Sequence, residues 1–590
     1  MIYSESYESA MDKKYQTTMA TDTLRNIYFS APTSSTEPGK QLKDIIDRAG
    51  GGIKNVEIGQ IGAQKWEAIP REHFNMARQI AKLTMGEKAL VSVHAPVDVD
   101  PTGFKSSQQG GRWSEDNRVE SEEFMKDVID KAQMVQTDDK RPVPIAFHAS
   151  GQVGTMWKWN DDYKRVMPEY AFGVVPDTGE LVPLTTEEKV YPGGEKVKYV
   201  PYKVEGVEYN QKDRVVSSLD QMNHTLWQRE QEKVSQMWKE IQEAQRETAR
   251  TDISKEEKER WKARENLMTQ HLRSAIHSTY NKLAETDNVA KEFIDQYTGS
   301  SDDIVTLTAA ISRLGVDPNA PRPKIVRLAD EFGKEKAAKT FANLAKYSYD
   351  KYGEYGPQLA VENWDPWHIM GRGEELAKGL KLGRKEFVEK LVKEDKLPVK
   401  KANEIAERLI GATWDIAHIN MMRKFGVPER TSKEVWEKHI KKEVEAIEKD
   451  IRHIHISDNF GFSDVHLAPG MGNVPIKEFL DHMQKTGKLK DVASVLESAG
   501  TAIHLGIPPS HSEALQHLGI SSPAWSTSPN WYEIGQNYFF GGSNYASAGF
   551  GNILPQGHFS EYGAGFSQLP TATGGMRPGQ QSKFSGTPMN

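Results

Sequence analysis

Apolar residues along the chain fall into two alternating patterns, short continuous runs and longer stretches spaced by three and four. Residues 27–30 (IYFS) read as a first strand, and Leu42, Ile45, Ile46 and Ala49 follow at i, i+3, i+4 and i+7, the spacing of one helix face. Residues 56–59 form a second short run, 74–83 read as helix, and 90–94 as a third strand. Phe124, Val128, Ile129 and Ala132 mark a further helix before a fourth strand at 143–148. Strand and helix alternating in this way predict parallel βα units.

The rhythm then stops. Residues 151–214 are rich in Gly, Pro, Tyr, Trp and Lys and read as irregular or small β structure. From 215 to 297 the chain is charged and helical, with Leu219, Met222, Leu226, Val234, Met237, Ile241 and Ala244 in one stripe. Met268, Leu272, Ile276, Tyr280 and Leu283 form a second stripe after a break at 251–254. Two antiparallel helices would bury these stripes against each other. The βα pattern resumes near Ile325, with strands expected at 359–362, 412–415, 451–455 and 492–497. Ile476, Phe479, Leu480 and Met483 mark the helix after the seventh strand.

Four strands before the interruption and four after make eight, the number of a (β/α)8 TIM barrel. The expected organisation is a polar leader (1–22), a first half-barrel (23–150), a mainly helical insertion after strand 4 (151–320), a second half-barrel (321–512) and a low-complexity tail (513–590). The tail carries Tyr538, Phe539, Tyr545, Phe550 and Phe559 among Gly and Ser, and reads as flexible. Insertion and tail are both candidates for binding another protein or for self-association.

Composition narrows the function classes. A net charge of −7 over 590 residues gives no global attraction to nucleic acid or anionic membrane, so nucleic-acid contact would need a local patch or bound cations. With no cysteine, disulfides, thiolate ligands and a cysteine nucleophile are excluded, which fits a reducing compartment. The N-terminal stretch lacks the apolar centre of a signal peptide, and no window approaches the ~20 apolar residues of a membrane span. These features point to a soluble, cytoplasmic protein with no membrane association.

The chemistry lies where the His, Asp and Glu residues fall. The third strand ends VSVHAP with His94, the fourth IAFHASG with His148, and the fifth LAVENW with Glu362. The sixth is TWDIAH, with Asp415 and His418. The seventh is HIHISDN, with His455, followed by DVH, with Asp464 and His466. The eighth ends SVLES with Glu497. In a barrel these tips converge on one face. A strand-end His alone is usually a hydrogen-bonded structural residue, and a strand-end Asp a helix cap. Six consecutive tips bearing imidazole or carboxylate are different, because so many such groups in one mouth are costly unless cations join them.

The set resembles the endonuclease IV (AP endonuclease family 2) group within the xylose-isomerase-like TIM barrels. That family holds three metal ions, usually zinc, on five histidines, two aspartates and two glutamates. All nine positions have a match here in the same order, and HISD, DVH and GMG (Gly470, Gly472) follow the family pattern at the seventh strand. The resemblance implies that His94, His148 and Glu362 share one metal. Glu362 would bridge to a second, held by Asp415, His455 and Glu497, and His418, Asp464 and His466 would hold the third. It also implies a metal-dependent phosphodiester hydrolase acting on damaged or abasic DNA, with Glu362 as the catalytic carboxylate and Mn2+ or Fe2+ able to replace one Zn2+.

The chain departs from that family at Val465, where the endonucleases usually have arginine. Its loop after His94 lacks their aromatic–aliphatic pair, and ASG stands where they have PG. The alternative is a xylose-isomerase-like sugar isomerase or epimerase, which typically needs fewer ligands. A barrel kept only as a scaffold is a third reading, opposed by the complete ligand set. Trp364, Trp367 and Trp414 flank ligand positions and read either as stacking surfaces or as packing. The KEEKERWKAR stretch at 255–264 reads as a solvated helix face.

Overall fold

The computed structural model describes residues 29–497, apart from 34–36, 51–52, 54, 60, 106–110, 152, 162–163, 186–201, 205–206, 210–213, 300–302, 318 and 490–491. The leader and the aromatic tail lie outside the described residues, as do Ile27 and Tyr28 of the first expected strand. The described chain forms two units. One comprises residues up to Gly103, Arg118–Gly151 and residues from Lys334 on; the other comprises Phe104–Asn117 and Gln152–Gly333.

The first unit is a closed eight-stranded barrel. Its strands are β1 (Phe29–Pro32), β2 (Asn55–Ile58), β3 (Val91–His94), β4 (Pro144–His148), β5 (Gln358–Glu362), β6 (Ile410–Asp415), β7 (Ile451–Ile456) and β8 (Ala493–Leu496). Each pairs in parallel with its neighbours in chain order, and β1 closes onto β8. The strands are buried on both faces, which explains why they read as continuous apolar runs rather than as alternation. Around them pack amphipathic helices. Val399–Leu409 buries Ala402, Ile405, Ala406 and Leu409, and Ile476–Lys485 buries Ile476, Phe479, Leu480 and Met483.

Details differ from the sequence reading. In helix Gln41–Gly50 it is Gln41 and Ile45 that turn inward, while Ile46 is exposed. In Arg71–Met85 the buried line runs through Phe74, Ala77 and Ala81, leaving Leu83 in solvent. Met125, rather than Phe124, joins Val128 and Ile129 in the core. Ile45, Val128, Ile129 and Ala132 are buried as the spacing predicts.

In the second unit, Met156–Asn160 and Glu180–Thr185 pair antiparallel with Arg165–Val175, which also pairs with Arg327–Leu328. Helices Arg214–Ala249 and Lys255–Thr286 lie against each other. Their stripes (Trp227, Val234, Ile241 against Leu272, Ile276, Leu283) meet helices Asn288–Thr298 and Ile304–Arg313 in one apolar cluster. The turn between the long helices ends in a capping box, Ser254 with Glu257, which satisfies helix-end donors. Among the described residues no helix is long and apolar enough to cross a membrane.

Candidate metal centre

The strand tips carry the residues singled out in the sequence. His94, His148, Glu362 and Asp415 each close their strand, His455 lies one residue before the end of β7, and Glu497 directly follows β8. Asp415 caps the short helix Ile416–Asn420, accepting from the N–H groups of Ala417 (2.6 Å) and His418 (3.2 Å). That cap turns the chain so that His418 looks into the same mouth. Asp464 and His466 come from the loop after β7. Seven of the nine are buried, Asp464 and His466 only partly.

Glu362 is the hub. Its Oε2 lies 3.1 Å from His94 Nε2 and 3.7 Å from His148 Nε2. Its Oε1 lies 2.9 Å from His455 Nδ1, which is 3.5 Å from Glu497 Oε1. His418 Nε2 stands 3.6 Å from Asp415 Oδ2 and 3.1 Å from Asp464 Oδ2, and His466 Nε2 is 2.8 Å from the same Asp464 oxygen. The donor atoms gather into overlapping groups of metal-binding size: His94–His148–Glu362, Glu362–Asp415–His455 and Asp415–His418–His466. Two imidazoles are oriented from behind. His94 Nδ1 meets the Ala95 carbonyl at 2.8 Å and His418 Nδ1 the Asn363 carbonyl at 2.7 Å, so each keeps Nε2 for the site.

The loop after β7 is pinned by a residue outside the set. Asp458 accepts from the N–H groups of Asn459 (2.9 Å), Gly470 (2.7 Å) and Val474 (3.0 Å), and its backbone bridges to Leu467. A Cβ on Gly472 would fall 2.3 Å from Asn459 O and 2.4 Å from Asp458 Oδ1, which explains the second glycine of GMG. Between these anchors His466 adopts φ 45°, a strained conformation that sets its ring toward Asp464.

Burial and the close packing of carboxylates and imidazoles set the electrostatics of the site. Burial alone would raise the Glu362 carboxyl, but the His455 and His148 imidazoles and the bonds from His455 and His94 outweigh it and hold it well below the usual range. For Asp415 burial wins, reinforced by Asp464, Glu362 and Glu497 against the opposing His418, and the carboxyl is pushed up to about 6. Burial depresses His148 to about 3, whereas in His466 burial is overridden by Asp464, which lifts it to about 9. Asp415 Oδ2, Asp464 Oδ1 and Glu497 Oε2 are buried without a hydrogen-bond partner. Orphaned atoms of this kind are costly in a protein interior. Imidazole nitrogen and carboxylate oxygen are the donors that suit zinc and neighbouring divalent metals, so the residues present fit such cations.

Sequence reasoning missed Glu57 and His453. Glu57, in the middle of β2, and His453, two residues before His455, are fully enclosed in the barrel and form a fourth group with His455. A charged residue inside a four-residue buried strand, and histidines two apart on one strand, were the available signals. Asp365 and His368, in the loop after β5, were also passed over. Each has a buried atom with no hydrogen-bond partner. Trp414 is wholly buried, and Trp364 packs on the His148 ring at 4.1 Å between centroids. Trp367 is covered by Lys424, whose Nζ is 4.5 Å from the ring centre.

A family model described as a xylose isomerase-like TIM barrel matches residues 240–518, just under half of the chain. A search of curated proteins finds no match. Among solved structures, a D-tagatose 3-epimerase-like protein is 12% identical, covering 84% of this chain and 98% of its own, with a TM-score of 0.34. A D-allulose 3-epimerase from Methylomonas sp., in complex with D-allulose, is 10% identical with a TM-score of 0.35, covering 84% and 95%. A 3-keto-D-glucoside 4-epimerase from E. coli is 8% identical with a TM-score of 0.33, covering 80% and 92%.

Proposed function

We propose that the chain is a metal-dependent phosphodiester hydrolase whose nine-residue centre takes three divalent cations, zinc foremost, and whose substrate is damaged or abasic DNA. One observation carries the reading: the two oxygens of Glu362 face different ligand groups, Oε2 toward His94 and His148 and Oε1 toward His455. A carboxylate so placed can join two cations where an imidazole cannot. Asp415 belongs to both the second and the third group, with its Oδ2 toward His418 Nε2 at 3.6 Å.

His94, His148 and Glu362 would hold one cation; Glu362, Asp415, His455 and Glu497 a second; His418, Asp464 and His466 a third. When bound, such cations lower the pKa of water toward neutrality and neutralise charge on a phosphate and its leaving oxygen. The chain's own part is orientation and exclusion of solvent. The carbonyls of Ala95 and Asn363 fix two imidazole rings, the Asp458 anchor fixes the loop of Asp464 and His466, and Trp364 walls off His148. No side-chain nucleophile is needed.

A second reading, a sugar isomerase or epimerase, is favoured by the family description and by the Glu362–Asp415–His455 group taken alone, a one-cation centre with Glu497 beside it. The grouping of the ligands rests on side-chain geometry, whereas hydrolysis and a DNA substrate are what the resemblance to the endonuclease IV family implies. The two separate cleanly. Elemental analysis of the purified protein should return close to three metals per chain, alongside cleavage of an abasic-site duplex. One metal per chain with aldose–ketose interconversion and no cleavage would establish the isomerase instead.

A further inference from the structure

Glu57 is out of place in the barrel. Its carboxylate projects from β2 into an interior normally filled by branched apolar side chains, and it is 1% exposed. An isolated carboxylate there would be expensive, so what it faces explains why it is tolerated. Ser92, its register partner on β3, donates to Oε2 at 2.9 Å. From β7 come two imidazoles: His453 Nε2 lies 3.3 Å from Oε2, and His455 Nε2 lies 3.4 Å from Oε1. Neither His455 Nε2 nor Glu57 Oε1 has another hydrogen-bond partner.

His455 therefore has one ring nitrogen toward Glu57 and the other toward the metal centre, with Nδ1 2.9 Å from Glu362 Oε1. A neutral imidazole carries a single N–H, and an ionised carboxylate can only accept. With a cation between Nδ1 and the Glu362 and Glu497 carboxylates, the remaining proton belongs on Nε2, aimed at Glu57. We infer that Glu57 is a positioning residue, which holds His455 in the tautomer and ring orientation that present Nδ1 to a cation shared with Glu362. This deepens the proposed function and rests on its reading that Glu362 and His455 hold a metal. Carboxylates behind metal-bound imidazoles raise ligand basicity, and their loss typically costs about 10–100-fold in metal affinity. Glu57, His453 and His455 do not make a separate cation position on this account. A cation there as well as above would occupy both ring nitrogens and require His455 to lose its one remaining N–H proton.

The test uses the full chain with Glu57→Gln, Glu57→Leu and Ser92→Ala. Zinc affinity is read by competition with a chromophoric chelator, stoichiometry by elemental analysis, and the ligand field by the visible absorption of the Co2+-loaded protein. Glu57→Gln should weaken zinc binding by about 10–100-fold and shift the Co2+ spectrum; Glu57→Leu should weaken it further, and Ser92→Ala should do little. Metal-free Glu57→Leu should melt no lower than the parent, since removing a buried charge in favour of an apolar side chain is often neutral or stabilising. Unchanged affinity and spectrum in both Glu57 variants would overturn the inference, whatever their melting temperatures. So would a stoichiometry that drops by one metal while the others bind as before, which would make Glu57 a ligand. If the parent itself binds no metal, the proposed function fails, and this inference with it.

Discussion

Glu362→Gln is the sharpest perturbation of the proposed centre. Glutamine has nearly the same shape, so the packing of β5 between β4 and β6 is unaffected, but the side chain no longer carries charge. Glu362 is 2% exposed and faces imidazoles on both sides, at 3.1 Å (His94) and 2.9 Å (His455). A unit charge about 4 Å from another interacts by about 4 kcal/mol at an effective dielectric of 20. At about 1.4 kcal/mol per decade, losing one such interaction lowers affinity by about three orders of magnitude. Because its two oxygens serve different groups, two cation positions are weakened together, while the His418–Asp464–His466 position is left largely intact.

The assay is a zinc titration with elemental analysis of both proteins, followed by cleavage of an abasic-site duplex and of an undamaged single strand. The variant should retain about one metal of three and lose phosphodiester cleavage by at least the same three orders of magnitude, estimated from the single lost charge interaction. Its far-ultraviolet dichroism should match the parent. A variant that holds the parental complement and cleaves at the parental rate would refute the bridging role, and with it the hydrolase mechanism.

Other perturbations probe separate parts of the argument. Trp364→Ala, removing the ring against His148, should raise KM more than it lowers kcat, as measured by steady-state kinetics on the abasic duplex. Gly472→Ala forces a Cβ against Asn459 O and Asp458 Oδ1, so the loop of Asp464 and His466 should shift and the third metal be lost, leaving two by elemental analysis. Asp130 is raised by burial, but its bonds from Lys351, Tyr352 and Tyr347 prevail, so its folded pKa lies below the ordinary ~3.9. Its stabilisation is therefore complete above about pH 4 and lost as pH falls through the lowered folded value. Asp130→Asn should cost about 1–2 kcal/mol, a hydrogen-bond figure reduced because Lys351 and Arg71 are half exposed. The gap in Tm to the parent should be constant above pH 4–5 and close below it, by thermal melts across pH.

The barrel and the gathering of the nine side chains were legible because the tips of parallel barrel strands converge on one face, so a polar residue ending each apolar run falls in one mouth. What the sequence hid is orientation within buried strands. β2 is enclosed on both faces, so nothing in NVEI says that Glu57 points inward toward Ser92 and His455 rather than outward. The pattern HIHIS suggested one ligand, since inward projection of both His453 and His455 follows only once the strand is placed in the barrel. Residues 104–117 gave no periodic signal, yet in the second unit Phe104 bridges to Trp113 and Trp113 packs on Phe332 at 4.8 Å. The second of these contacts joins residues more than two hundred apart, and local spacing carries no trace of it.

The same distance in sequence raises the question of how one site can draw ligands from both sides of a long interruption. The answer lies in the pairing of β4 with β5. His148 and Glu362 are register partners, the last pair of that ladder, although residues 149–357 separate their two strands. The interruption leaves the barrel just beyond one tip, and the chain returns through helix Ala329–Tyr352 to the adjacent strand. The two ends are therefore held together by the barrel's own hydrogen bonds rather than by whatever lies between them. The entropy of closing such a loop grows only logarithmically with length, about 0.6 kcal/mol for each doubling. Extra chain at this point costs the barrel little, whereas a one-residue slip in the β4–β5 register would part His148 from Glu362 and turn the carboxylate away from both groups it serves. What the centre requires of the sequence is that register, and PIAFH beside QLAVE, two five-residue runs buried throughout, supplies it.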